Sequence, residues 1–126
     1  AEEAAELQRQ IIVAIWNVIR RETEEERTDK FDGDLQVIAE SQASVMEKLA
    51  EVSQAANAPD AEEIVAQIRG HMESVIKYLQ EGREKKDVSP VKNARAAAQS
   101  AFAGLLQLRA REHEIVRSRQ QQQQSQ

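Results

Sequence analysis

Apolar side chains recur along this chain at intervals of three and four, in runs separated by short clusters of Gly, Pro, Asp and Asn. That period turns one face of a helix towards a core, whereas a half-buried strand would alternate at every second residue. Leu7, Ile11, Ile12, Ile15, Val18 and Ile19 give a wide apolar face to a first helix over about residues 2–27. Trp16 falls among them and is expected to pack near mid-helix, its indole N–H towards the surface. TDKFDGD, residues 28–34, predicts a turn at Gly33 and a new N-cap on a flanking aspartate.

A narrower seam follows. Phe31, Leu35, Ile38, Gln42, Val45, Leu49, Val52 and Ala56 predict a helix over about 34–56 with one polar member, Gln42. NAPD, residues 57–60, stops it, and Asp60 with Glu63 has capping-box spacing for a third helix over about 61–81. Ile64, Ile68, Met72, Val75 and Leu79 form the apolar face of that helix, and Gly82 stands where a C-cap belongs. Ser89 and Pro90 read as N-cap and first-turn proline of a fourth helix over about 90–124. Its seam is Val91, Ala94, Ala98, Ala101, Leu105, Leu108, Glu112 and Ile115, beside the small residues Ala97 and Gly104. A 3.5-residue period held this long is the mark of coiled-coil-like packing, and the small residues admit a close partner helix.

The expected fold is therefore all-α: four helices in up-down hairpins, first with second and third with fourth, within one domain and with a long C-terminal helix. At about 1.5 Å per residue the last helix reaches about 50 Å, more than the third can cover. Its excess is expected to meet the first helix, another subunit, another part of a parent chain, or water. Leu105, Leu108, Glu112 and Ile115, with Arg109 and Arg117 beside them, are the candidate interface. The glutamine tract at 120–124 can continue the helix, since glutamine is a fair helix former and carries no charge. The chain opens on Ala1, and both ends fall inside helical patterns, so it reads as a segment of a longer protein.

Composition narrows the chemistry. The 126 residues are 31% charged and 3% aromatic, with no cysteine, which excludes disulfides, thiolate metal sites and cysteine nucleophiles. The longest large-apolar run, IIVAIW at 11–16, is far short of the roughly 20 residues that span a bilayer. Charge is graded along the chain: residues 1–60 hold six basic and fourteen acidic side chains, net −8, and residues 91–126 hold six and two, net +4. The two ends are electrically complementary, within one chain or between chains. The acidic run ETEEER, 22–27, reads as a solvated helix end that a basic surface of Arg109, Arg111, Arg117 and Arg119 would suit. Those arginines alternate with Glu112 and Glu114 and have no aromatic platform beside them, which argues against nucleic acid as the partner.

No catalytic, cofactor or metal constellation emerges. His71 and His113 lie on different helices, and neither has the Glu-x-x-His or HExxH setting that bundle metal sites use. The DGD at 32–34 lacks the alternating acids and terminal glutamate of a calcium loop. Gln42 and Glu112 interrupt apolar seams, where polar residues can fix register or oligomeric state. The reading from another class is a ligand-binding or catalytic bundle with a pocket lined by Trp16, Met72 and Tyr78.

IIVAIWNVIRRE at 11–22, with YLQEG at 78–82 and SPVKNARAAAQSAFAGLLQLRAREHEIVRSRQQQQQ at 89–124, resembles the helical region of large, membrane-anchored bacterial proteins of unknown function. The resemblance covers both ends of the chain and rests on packing motifs. It implies an extracytoplasmic coiled-coil segment of a cell-envelope protein, with no catalysis and with membrane helices elsewhere in the parent chain. The function expected is a structural or protein-interaction module, its partner a second copy or another helical segment of the parent, with no cofactor and no small-molecule substrate.

Overall fold

The computed structural model describes residues 1–55 and 59–124, and the fold is all-α. Helix α1 spans Glu2–Arg21, α2 Phe31–Ala55, α3 Pro59–Lys85 and α4 Ser89–Gln124. Each helix packs on its sequence neighbours, and α1 also packs on α4, closing a four-membered ring of antiparallel helices. The core lies along the axis of that ring.

The same rhythm builds all four helices. On α1, Ala4, Gln8, Ile11, Ile15 and Val18 are buried, and Glu22 continues the series just past the helix. On α2 the buried set is Phe31, Leu35, Ile38, Gln42, Val45 and Leu49. On α3 it is Ala61, Val65, Ile68, Met72, Val75 and Leu79, and on α4 Val91, Ala94, Ala98, Ala101, Leu105 and Leu108. Alternating steps of three and four keep one stripe of each helix facing the axis for its whole buried length. The small stripe on α4 allows the close approach expected of it: a Cβ on Gly104 would stand 2.6 Å from Ile68 Cγ1 on α3.

The helix ends differ from the sequence expectation. α1 stops at Arg21 rather than near residue 27, because Glu22 turns inwards and its backbone N–H closes on Val18 O. α2 begins at Phe31, with Lys30 O accepting Asp34 N–H at 3.0 Å, so Gly33 sits in its first turn and not in a loop. α3 already starts at Pro59, and the Asp60 carboxylate engages Arg111 at 2.7 Å rather than capping its own helix. Ala56, Asn57 and Ala58, placed by the sequence at the end of α2 and in the following stop, lie outside the described residues.

Gly82 is helical as well, pressed between Val91 and Leu35 where a Cβ would meet Val91 Cγ2 at 3.0 Å. The cap expected there falls on Lys86, which takes φ 52°. Asp87 N–H reaches back to Gly82 O at 3.1 Å, the long bond of a Schellman ending. Asp87 Oδ1 then accepts Ser89 N–H, and Val88 O accepts Lys92 N–H as the first bond of α4. Ser89 therefore lies one residue inside the helix it was expected to cap.

Candidate interaction surface

α4 is the longest helix, 36 residues or about 54 Å, against 27 residues or about 40 Å for α3. Two contacts mark where its neighbours begin. Ala1 N lies 3.3 Å from Glu112 Oε2, and Asp60 at the start of α3 pairs with Arg111. Residues 113–124 therefore carry α4 about 18 Å past the points where α1 and α3 begin. The helix continues through the glutamine tract to Gln124, as its composition allows.

The structure divides the candidate interface residues. Leu105 and Leu108 have no exposed surface: α1 and α3 cover them, so they are core residues and not a free seam. Glu112 is the first seam position at the rim, with about a third of its side chain exposed. Ile115 continues the seam half-buried, Arg109 is half-buried and Arg117 exposed. Val116, which the seam count passes over, is 53% exposed and joins Ile115 as the apolar part of the projecting end.

Trp16 also departs from expectation. It is 40% exposed, and the Arg95 guanidinium of α4 stacks on its ring 4.3 Å from the centroid. The physical reason is its place on α1: the buried stripe passes through Ile15 and Val18, which leaves Trp16 on the flank towards α4. Met72 lies fully in the core and Tyr78 is half-buried, and neither they nor Trp16 line the hollows described below. Phe102, Leu106 and Arg109, further along the same side of α4, border a shallow hollow of about 760 Å³ against Ala5 and Glu2 of α1.

A second hollow, of about 510 Å³, runs between α1 and α2. Its floor is Ile11, Ile38 and Val45, and small side chains on its rims, Ala14, Ser41 and Ser44, leave it open. Val37 on its edge is 60% exposed. Ion pairs tie the two helices towards either end, Arg21 to Asp34 at 2.5 Å and Lys48, which itself lines the hollow, to Glu3 at 3.1 Å.

Two buried polar features are structural. Gln8 and Gln42 face each other from α1 and α2 without exposed surface, and each amide N–H donates to the other's oxygen at 2.8 Å. Gln42 is thus matched by a residue the sequence reading passed over. Glu22 organises the loop between α1 and α2: its carboxylate accepts Thr28 N–H at 2.8 Å, the Thr28 hydroxyl at 2.5 Å and Arg21 Nε at 2.8 Å. Arg27 donates to the carbonyls of Glu22 and Glu24 and lies over the Phe31 ring. Burial pushes the Glu22 pKa upward, and the Thr28 and Arg21 bonds outweigh it, so the carboxyl sits below its ordinary value. ETEEER is therefore solvated as expected at Thr23, Glu24, Glu25 and Glu26, but it is a loop tied down by Glu22 and Arg27 rather than a helix end, and it lies at the opposite end of α1 from Arg109 and Arg111.

His71 and His113 are both exposed. Among the described residues, no three His, Asp or Glu side chains converge where a metal ion could be held, and no helix is long and apolar enough to cross a membrane. Comparison with known protein families, curated proteins and solved structures finds no match to this chain.

Proposed function

We propose that this chain is a non-catalytic helical interaction module: a closed bundle that holds out the end of α4 for a partner helix. The observation that carries this reading is the projection of residues 113–124 with Ile115 and the 53% exposed Val116 on it. Apolar side chains on a rigid helix outside the core contribute little to folding and are well placed to be buried by a partner. The buried core supports the same reading, since Met72, Leu105 and Leu108 fill the axis with side chains. The resemblance of the end segments adds that the module serves a membrane-anchored envelope protein of bacteria.

Truncation after Glu112 tests the division of labour between bundle and arm. The shortened chain keeps the helical signal of the remaining residues and melts at the same temperature as the full chain. A large drop in melting temperature would make residues 113–126 part of the fold and remove the basis for calling them an arm.

A further inference from the structure

We infer that the outer face of α1 is a self-association surface, on which a second copy of this chain docks antiparallel about a two-fold axis through Val13. The contact is separate from the end of α4 and does not depend on it. Its first observation is a gap in charge. Residues 10–19 of α1 include no charged side chain, and those of them that face solvent are Gln10, Val13, Trp16 and Asn17. Val13 is 45% exposed and Trp16 40%. Val37 of α2, 60% exposed, joins them at the same level of the bundle. Gln8 meets Gln42 across the two antiparallel helices, and five residues further in one direction from that contact stand Val13 on α1 and Val37 on α2. Large apolar side chains gathered in water with no charge among them mark a contact surface.

Charge on either side of the gap says what covers it. Glu6, Val13 and Arg20 follow one another at intervals of seven, so they share one line along the helix, and all three are exposed. Glu6 and Arg20 stand about 10 Å from Val13 in opposite directions. A two-fold axis through Val13 and across the helix therefore sets Glu6 on the partner's Arg20 and Arg20 on the partner's Glu6, while Val13 meets the partner's Val13. An axis along the helix would set Glu6 on the partner's Glu6 instead. Like charge rejects that parallel pairing, and opposite charge selects the antiparallel one. Arg20 has no ion pair among the described residues. Glu6 is engaged by Arg9 on its own helix, an exposed pair of the kind that contributes little and leaves the carboxylate open to a partner.

Arg9 and Trp16 form a second line, also seven residues apart, on the side of α1 where Arg95 of α4 stacks on the Trp16 ring. The same two-fold axis brings the partner's Trp16 beside Arg9, which adds a second guanidinium to that ring's surroundings. Each chain gives and receives the same residues. Such a contact closes at a dimer and leaves no free copy of the surface on which a fibre could grow.

Sedimentation equilibrium of the full chain over a wide concentration range tests the proposal. The expected mass rises from 14.2 kDa to twice that value and no further. Val13→Glu, whose new carboxylate would face its own copy across the axis, weakens dimerisation at least about tenfold. Glu6→Arg alone and Arg20→Glu alone weaken it too, and the two together restore it by exchanging the ends of both ion pairs. All of these variants keep the parent helical signal in dilute solution, because the three side chains are exposed. A chain that stays at 14.2 kDa throughout overturns the proposal, as does a mass that climbs past the dimer. A dimer indifferent to Val13→Glu, or one that the paired charge exchange fails to restore, overturns it as well. Truncation after Glu112 leaves this dimer intact; loss of the dimer on truncation would place the contact at the end of α4 and overturn the α1 face alone.

Discussion

Replacing Gln42 with methionine removes one half of a fully buried amide pair while keeping a side chain of similar length. Gln8 then retains an Nε2–H donor and an Oε1 acceptor that had been matched at 2.8 Å, with no exposed surface through which water could replace the partner. Leaving a buried polar group unmatched costs about 1–3 kcal/mol, and here one donor and one acceptor are orphaned together. Gln42→Met alone, or Gln8→Met alone, should therefore cost about 2–4 kcal/mol, somewhat reduced by the apolar surface gained. With both replaced, no polar atom is stranded, and the pair of thioethers packs into the same space. The double variant is expected to be close to the parent or above it in stability, giving a coupling of about 2–4 kcal/mol from a double-mutant cycle. Urea unfolding of the four proteins in dilute solution, with m-values compared, supplies the numbers. Additive single effects, each below about 0.5 kcal/mol, would contradict the desolvated pair and place water at the two amides.

Trp16→Ala should cost only about 1 kcal/mol, the scale of an exposed cation–π contact with Arg95, whereas Ile15→Ala should cost about 2–5 kcal/mol; thermal melts of the two distinguish flank from core. Gly70→Ala should stabilise by about 0.5–1 kcal/mol because its Cβ meets nothing within 4 Å on a helix. Gly104→Ala should destabilise, since its Cβ would lie 2.6 Å from Ile68 Cγ1, and equal shifts in the two melting curves would contradict the close α3–α4 approach. Lys86→Gly should stabilise by up to about 1 kcal/mol by relieving a left-handed lysine, measured by the same unfolding curves. Glu22 has a folded pKa held below its unfolded value, so it contributes stability fully present above the ordinary carboxylate range and lost as pH falls through the folded value. Stability against pH should accordingly decline on the acid side, and Glu22→Gln should flatten that decline; an unchanged slope would remove Glu22 from its cause.

What the sequence made legible was the period. Leu35, Ile38, Val45 and Leu49 on α2, and Val91 through Leu108 on α4, are buried where counting by three and four put them. The wide apolar face of α1 holds as well, with Ile11, Ile15 and Val18 buried and Leu7, Ile12 and Ile19 half-buried against the core, but it did not separate Trp16 from that face or reveal Gln8 and Glu22 within it. Counting through Ala4, Gln8, Ile11, Ile15, Val18 and Glu22 selects the observed stripe, passes over Trp16 and draws in two polar residues. Chemical type misled there, because Gln8 is buried by its match to Gln42 and Glu22 by its match to Thr28 and Arg21, and such matching is invisible until the helices are paired. Gly33 and Gly82 misled in the opposite direction: both were read as breaks, yet both are helical, Gly82 because Val91 and Leu35 crowd it. The projecting end was visible as an excess of helix length. Which of its side chains remain exposed was not, because that depends on where α1 and α3 begin relative to α4.

The most direct test of an arm held outside a closed bundle is amide hydrogen exchange along α4, measured at low and at high protein concentration. Residues 91–108 should exchange slowly at both, in keeping with a core that closes within one chain. Residues 113–124 should exchange quickly in dilute solution, as helix outside the core does. If residues 113–124 are as protected as 91–108 in dilute solution, they belong to the fold and the account of α4 as an arm is contradicted.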